Sequence, residues 1–417
     1  MEFARTRGQA AALAAAAAML EAGPPHAILL VGPSAIGKTT LALDIAAALL
    51  CTAEPATRRP CRECRGCRMV ESGNHPDLHR LAPDGPGGQI RIGERSNRDP
   101  ATVRGLIASL ALMPVEGGAR VAVIEHADRM NEDAQSALLK TLEEPPIGVT
   151  IILAADEEEI LLPTVRSRCA RIRLGPVGVR DVEAILVELG VADAPTAARL
   201  GRLAAGRPGI ALAYSRNPAA SVSRGEIGRT LIDMLRAPRA QRLSAVREAL
   251  ATASDVGAAL AAPVNTAIAT NGGGSGRGRR GTTPAPATAG GAAGLDASER
   301  ELDTPDPDAA ARRAPPAERR RAMGMLLDVW RDVARDLRLV QVGEPAAVRD
   351  PGLLDDLSAV SDDVPAGDLV AFLGRLTRAG ELLESNVSPE LIADALALAW
   401  PRAAAAAVAV GPGRTRR

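Results

Sequence analysis

Apolar positions change their period along this chain near Gly175. Before that point, short apolar runs alternate with stretches of helical spacing. The runs are Ala27 to Val31, Val121-Ala122-Val123-Ile124 and Val149 to Ala154, and each predicts a strand buried on both faces. Helical spacing fills Thr39 to Leu50 and returns from Asn131 to Glu144, where Pro145-Pro146 closes it. An Ala-rich run after Arg5 also predicts an amphipathic helix. Strands alternating with helices predict an α/β class, with a parallel sheet covered by helices on both faces.

Beyond Gly175 the strand signals fade. Helical segments are predicted over Val179 to Gly190, Ala194 to Ala205 and Pro208 to Tyr214, the size of a small lid over 176–220. A longer helical block spans Ser223 to about Leu260, with Ile227, Leu231, Met234 and Leu235 at three- and four-residue steps. From 263 to 316 the composition turns to Gly, Pro and Arg, including Arg277, Arg279 and Arg280, which reads as a disordered insertion and a solvated linker. Helical spacing resumes from Ala317 to Leu339 and from Asp368 to Ala399, so 221–262 and 317–410 read as one interrupted all-α domain. A disordered tail is expected over 411–417.

Composition narrows the function. Lys plus Arg and Asp plus Glu both number 50, so no global positive field draws the chain onto nucleic acid. Aromatic residues make up only 1% and none interleaves with a basic run, which excludes a base-stacking platform for single strands. No uncharged apolar stretch has membrane-spanning length and the start lacks a signal-peptide pattern, so a cytoplasmic protein without membrane contact is expected.

Gly32-Pro33-Ser34-Ala35-Ile36-Gly37-Lys38-Thr39 fits the phosphate-loop pattern, between a predicted strand and a predicted helix. Its glycines let the backbone fold closely around phosphates, with amide hydrogens and the helix N-terminus aimed at the anion. Lys38 would neutralise the outer phosphates, and Thr39, followed by Thr40, would ligate magnesium. Hydrolysis also needs carboxylates at the end of a neighbouring strand. Glu125 is the candidate metal ligand there, but His126 stands where an activating Glu is expected. Asp128 is open to substitution for it, to a capping role or to pairing with Arg129.

Cys51, Cys61, Cys64 and Cys67 follow the pattern C-x9-C-x2-C-x2-C, with Gly66 expected at a tight turn. Short C-x2-C steps let thiolates converge on one zinc ion, and a site closed by four thiolates is structural. His75 and His79 are then not needed as ligands. Cys169 lies far off and reads as a buried thiol.

A zinc knuckle soon after a P-loop helix resembles the AAA+ subunits of bacterial replicative clamp loaders. The resemblance rests on Gly32 to Thr40, the four cysteines, Ser136 to Pro146 (Ser-Ala-Leu-Leu-Lys-Thr-Leu-Glu-Glu-Pro-Pro) and Leu162 to Cys169, roughly the first half of the chain. Within the group the delta-prime type is nearer than the gamma/tau motor. Asn74 to Leu78, Pro114 to Arg120 and Glu125-His126-Ala127-Asp128 are all similar to delta-prime sequences. A weaker likeness to the final collar helix covers Leu382 to Trp400.

The resemblance implies an AAA+ nucleotide-binding domain over 1–175 with its zinc knuckle at 51–67, then a helical lid and a helical collar joining five subunits in a ring. The implied partners are the gamma/tau motor and delta subunits, the sliding clamp, and primer-template DNA met through the assembly. Arg168, in Ser167-Arg168-Cys169, would be an arginine finger offered in trans to ATP on a neighbour, with Arg166 as a nearby decoy. Structural zinc and ATP or ADP with Mg2+ are the implied cofactors. Ala155 and Asp156 depart from the hydroxyl residues of a motor, and Gly206-Arg207-Pro208-Gly209 lacks the lid arginine in the motor's register. Both weaken hydrolysis in cis, although the P-loop is intact where many delta-prime subunits have lost it. A gamma/tau-type motor or autonomous ATPase is the alternative.

Overall fold

The computed structural model describes residues 1, 4–54, 56–84, 88–94, 99–116, 118–261, 315–385 and 387–403. The expected tail 411–417, Asn386, and nearly all of the expected insertion, including Arg277, Arg279 and Arg280, lie outside these residues.

The first half contains helices α1 (Ala10–Glu21), α2 (Lys38–Leu49), α3 (Arg65–Glu71), α4 (Val103–Leu110), α5 (Glu132–Glu143) and α6 (Pro163–Arg166). Among them run strands β1 (Ala27–Val31), β2 (Leu78–Leu81), β3 (Arg120–Ile124), β4 (Val149–Ala155) and β5 (Ala170–Arg173). All pair in parallel in the order β2-β3-β4-β1-β5. Alternate residues of the central strands feed two separate cores. Ile28, Leu30, Val121, Val123 and Ile152 pack with α1 and α2, whereas Leu29, Ala122, Ile124, Ile151 and Leu153 pack with α4 and α5. A strand buried on both faces must be apolar throughout, which is why β1, β3 and β4 stand out in the sequence.

Local signals fix the helix ends. Asn131 accepts a hydrogen bond from the Ala134 N–H at 2.9 Å and starts α5, with Glu132 and Asp133 in its positive first turn. The sequence pattern did not reveal α4, although Thr102 caps it through the Gly105 N–H. It also missed β2 and β5, the two edges of the sheet, whose Leu-His-Arg-Leu and Ala-Arg-Ile-Arg sequences keep polar residues on a half-exposed border.

The second half is all helical: α7 (Val179–Glu188), α8 (Ala194–Leu203), α9 (Pro208–Arg216), α10 (Pro218–Asp233), α11 (Arg239–Ala261), α12 (Pro316–Gln341), α13 (Leu354–Ser358), α14 (Ala366–Glu384) and α15 (Pro389–Ala399). The block expected from Ser223 to Leu260 is two helices, because the chain turns before Pro238. Likewise α14 and α15 divide the stretch from Asp368 to Ala399. One apolar cluster runs through these helices from Val177 to Trp400. At its centre Trp330, Phe372 and Trp400 meet with ring centroids 4.6–5.8 Å apart, and truncating any one to Ala costs about 3–5 kcal/mol. Among the described residues no helix is long and apolar enough to cross a membrane.

Candidate functional site

The P-loop bridges β1 and α2 at the carboxyl edge of the sheet. Val31 pairs with Ala155 of β4, and Gly32 continues the ladder by donating to the Ala155 carbonyl. A Cβ on Gly32 would lie 2.3 Å from the Leu174 carbonyl oxygen, so only glycine threads the gap beyond β5. Gly37 caps α2 and Lys38 opens it, with Thr39 and an exposed Thr40 in its first turn.

The strand order also brings Asp156, the residue after β4, against the loop. Lys38 is only 6% exposed, and its ammonium reaches the carbonyls of Gly32 at 2.6 Å and Pro33 at 2.8 Å and Asp156 Oδ1 at 2.6 Å. Two of these contacts are hydrogen bonds to carbonyls, and the third is an ion pair that sets the ammonium against a carboxylate. The pairing was not read from the sequence, where Asp156 registered only as a departure. The local signal was its place directly after an apolar strand, and the adjacency of that strand to β1 came from the fold.

Glu125 follows β3 and stands 3.5 Å from Thr39 Oγ1, the placement expected of two ligands to one hydrated cation. Its other oxygen accepts from Arg80 of β2, at 3.0 Å from Nε and 2.5 Å from Nη2. His126 takes a left-handed backbone (φ 51°) and lies 3.9 Å from Asp156 Oδ1. Burial, and then the carboxylate of Asp156, pushes Asp128 above the usual carboxylate range. Arg207 pairs with Asp328 of α12 at 3.4 Å. Gly209 at the start of α9 instead touches the loop, its N–H donating to the Ala35 carbonyl at 2.9 Å.

The cysteines gather beyond the other end of α2. Cys51 follows that helix, Cys61 comes from the loop, Cys64 caps α3, and Cys67 lies in the first turn of α3. All four sulfurs lie within 4.8 Å of one another, and Cys51 and Cys64 are 3.8 Å apart. A tetrahedron of zinc–sulfur bonds has edges of about 3.8 Å, so the donor set fits. Burial opposes ionisation of Cys64, but N–H donors led by Cys67 and the neighbouring thiols bring it down to about 6. Gly66 lies inside α3 rather than at the expected turn. A Cβ there would fall 2.5 Å from the Leu50 carbonyl oxygen, so glycine serves the close helix contact. His75 accepts from the Asp77 N–H through Nδ1, while burial and then Arg120 lower the pKa of His79 on β2. Neither belongs to the sulfur cluster.

Arg168 lies at the opposite edge of the sheet, two residues before β5. Its Nη1 donates to the Thr164 carbonyl at 2.9 Å, and its Nη2 is 2.6 Å from Glu143 at the end of α5. The side chain is 34% exposed, whereas Arg166 has its Nε buried. Cys169 is half-buried, and burial raises its thiol to about 11.

Residues 9–178 match the family described as "DNA polymerase III, delta subunit". DNA polymerase III subunit delta' of Pseudomonas aeruginosa is 39% identical over 146 residues, 35% of this chain and 42% of that protein. The subunit delta' of Bacillus subtilis is 33% identical over 202 residues, 48% of this chain and 57% of that protein. The subunit tau of Escherichia coli is 33% identical over 203 residues, 48% of this chain and 30% of that protein. This chain therefore spans about half the length of the delta' relatives it matches.

Proposed function

From the match of residues 9–178 to that family and the likeness to delta' subunits, we propose that the chain is a delta-prime-type subunit of a bacterial replicative clamp loader. It would hold one place in a pentameric AAA+ ring with gamma/tau motor and delta subunits, loading a sliding clamp onto primer-template DNA. In this reading 1–175 is the nucleotide-binding domain, 176–220 the lid, and 221–262 with 317–410 the collar.

The position of Arg168 carries the proposal. Ile28 pairs with Ala170, so Arg168 stands at the amino edge of the sheet while the P-loop leaves the carboxyl edge of the same strand pair. Strands of this length separate the two edges by about 15 Å, beyond an arginine's reach to its own loop. A guanidinium so placed serves a nucleotide on another subunit, where it neutralises charge growing on the transferred phosphoryl group. Such fingers contribute about three to five orders of magnitude in turnover.

The chain's own loop supports binding better than hydrolysis. Lys38, Thr39 and Glu125 would hold ATP or ADP with Mg2+, but no carboxylate occupies the position of His126, and Lys38 already faces Asp156. Zinc on Cys51, Cys61, Cys64 and Cys67 would brace the knuckle and supply no reaction chemistry.

In a loader reconstituted with motor and delta subunits, Arg168→Ala is expected to lower DNA-stimulated ATP turnover at least tenfold, a floor well below what a single finger contributes. Unchanged turnover would sink the trans role. The intact Lys38 and Thr39 favour a second reading, a gamma/tau-type motor. ATP turnover by the isolated chain that disappears in Lys38→Ala would establish it.

A further inference from the structure

Glu143, within the Ser136 to Pro146 string that closes α5, touches the finger itself. We propose that Glu143 is a positioning residue for Arg168, fixing the guanidinium in the attitude it presents to the neighbouring subunit's nucleotide. This inference rests on the trans-finger reading of Arg168.

The segment leading to Arg168 is anchored by α5 before Glu143 comes into play. Gln135, buried in α5, donates to the Met130 carbonyl at 3.0 Å and the Ile160 carbonyl at 3.4 Å, and it accepts from the Leu162 N–H at 2.7 Å. Those bonds fix the backbone entering α6. The Arg168 N–H donates to the Val165 carbonyl at 3.2 Å, which fixes the backbone leaving it.

What remains free to turn is the long side chain, and three neighbours restrain it. Thr164 O and Ser167 Oγ accept from Nη1 at 2.9 and 3.4 Å, while Glu143 Oε1 forms an ion pair with Nη2 at 2.6 Å. A guanidinium has five N–H donors, so some remain for a phosphate while these contacts persist. Glu143 is the only charged group among the three, so it alone adds a Coulomb attraction that draws the guanidinium to one side.

Stability is not its main contribution. The two side chains are 34% and 49% exposed, and ion pairs in such positions add little to stability. Their effect lies in orientation. A catalytic group held in a near-productive attitude avoids the entropy of finding it, and small misplacements are costly in rate. Glu143 is the last residue of α5, a helix capped at its start and packed along the sheet, so the carboxylate sits on a rigid mount.

The test uses the reconstituted loader and four forms of this subunit: wild type, Glu143→Ala, Arg168→Ala and the double variant. Ring assembly is checked by mass in each case. Glu143→Ala is expected to lower kcat of DNA-stimulated ATP turnover roughly three- to tenfold, in the range of coupling between contacting residues, with KM for ATP unchanged. Glu143→Gln, which keeps an acceptor without the charge, should recover part of that loss. In the Arg168→Ala background, removing Glu143 should change nothing further.

Equal fractional losses from Glu143→Ala in both backgrounds would overturn the proposal, because Glu143 would then act independently of Arg168. Faster turnover in Glu143→Ala would overturn it as well, marking Glu143 as a competitor for the finger. A loss in Arg168→Ala with none in Glu143→Ala would leave the finger standing and remove its positioning residue. Unchanged turnover in Arg168→Ala would take down the finger reading and this inference together.

Discussion

The two ends of α2 carry the two motifs that were plainest in the sequence, and the fold treats them differently. At its C-terminal end the four cysteines meet one another, and the sulfur spacing suits a tetrahedral ion without help from elsewhere. At its N-terminal end the P-loop has all its own residues, yet its lysine faces an aspartate contributed by β4. A motif guarantees its chemistry only when every group that chemistry needs lies inside it. The cysteine motif is closed in that sense. The P-loop is open, and a residue more than a hundred positions away redirects it.

The largest effect that would sharpen this contrast is at the cysteines. The purified chain is expected to carry about one zinc per molecule under reducing, chelator-free conditions. Cys64→Ser should carry little, and its melting temperature should fall by roughly 10 °C, since metal-binding energy in such sites is folding energy. A variant without metal that melts like the wild type would remove the cysteine half of the comparison.

A smaller effect is expected at the loop. Asp156→Ala frees Lys38 from its carboxylate and removes a negative charge beside the phosphate position, so Mg-ADP should bind about tenfold more tightly by titration calorimetry. Lys38→Ala added to that variant should erase the gain. Unchanged or weaker binding in Asp156→Ala would show that Asp156 does not restrain the loop.

The smallest is a matter of sign at Asp128. Burial and Asp156 raise its pKa in the fold, so its contribution to stability is fully present below the unfolded-state value and is lost as pH rises through the folded value. Asp128→Asn should therefore gain stability relative to wild type on going from acid to neutral pH in denaturant melts. A constant difference across that range would mean Asp128 ionises as it does in the unfolded chain.

Strands β1, β3 and β4 were legible because a parallel strand between two helical layers must be apolar on both sides. The same geometry hid β2 and β5. As the edges of the sheet they are half covered, and their polar residues, including His79, Arg80, Arg171 and Arg173, break the apolar run. At the site, Gly32, Lys38, Thr39 and the four cysteines were legible because their spacing is itself the chemistry. Arg80, which holds Glu125, was not, since nothing in a single sequence tells which edge residue meets which carboxylate.

The sequence by itself determined the Gly32 to Thr39 loop pattern, the four-cysteine cluster, the turn from α/β to all-helical structure and the resemblance that singles out Arg168. Each is a property of neighbouring residues or of a local period. Only the tertiary structure decided that Lys38 faces Asp156 and that Arg168 faces Glu143. Both pairings depend on which strands lie side by side and in what register, and that is fixed by packing across the whole sheet.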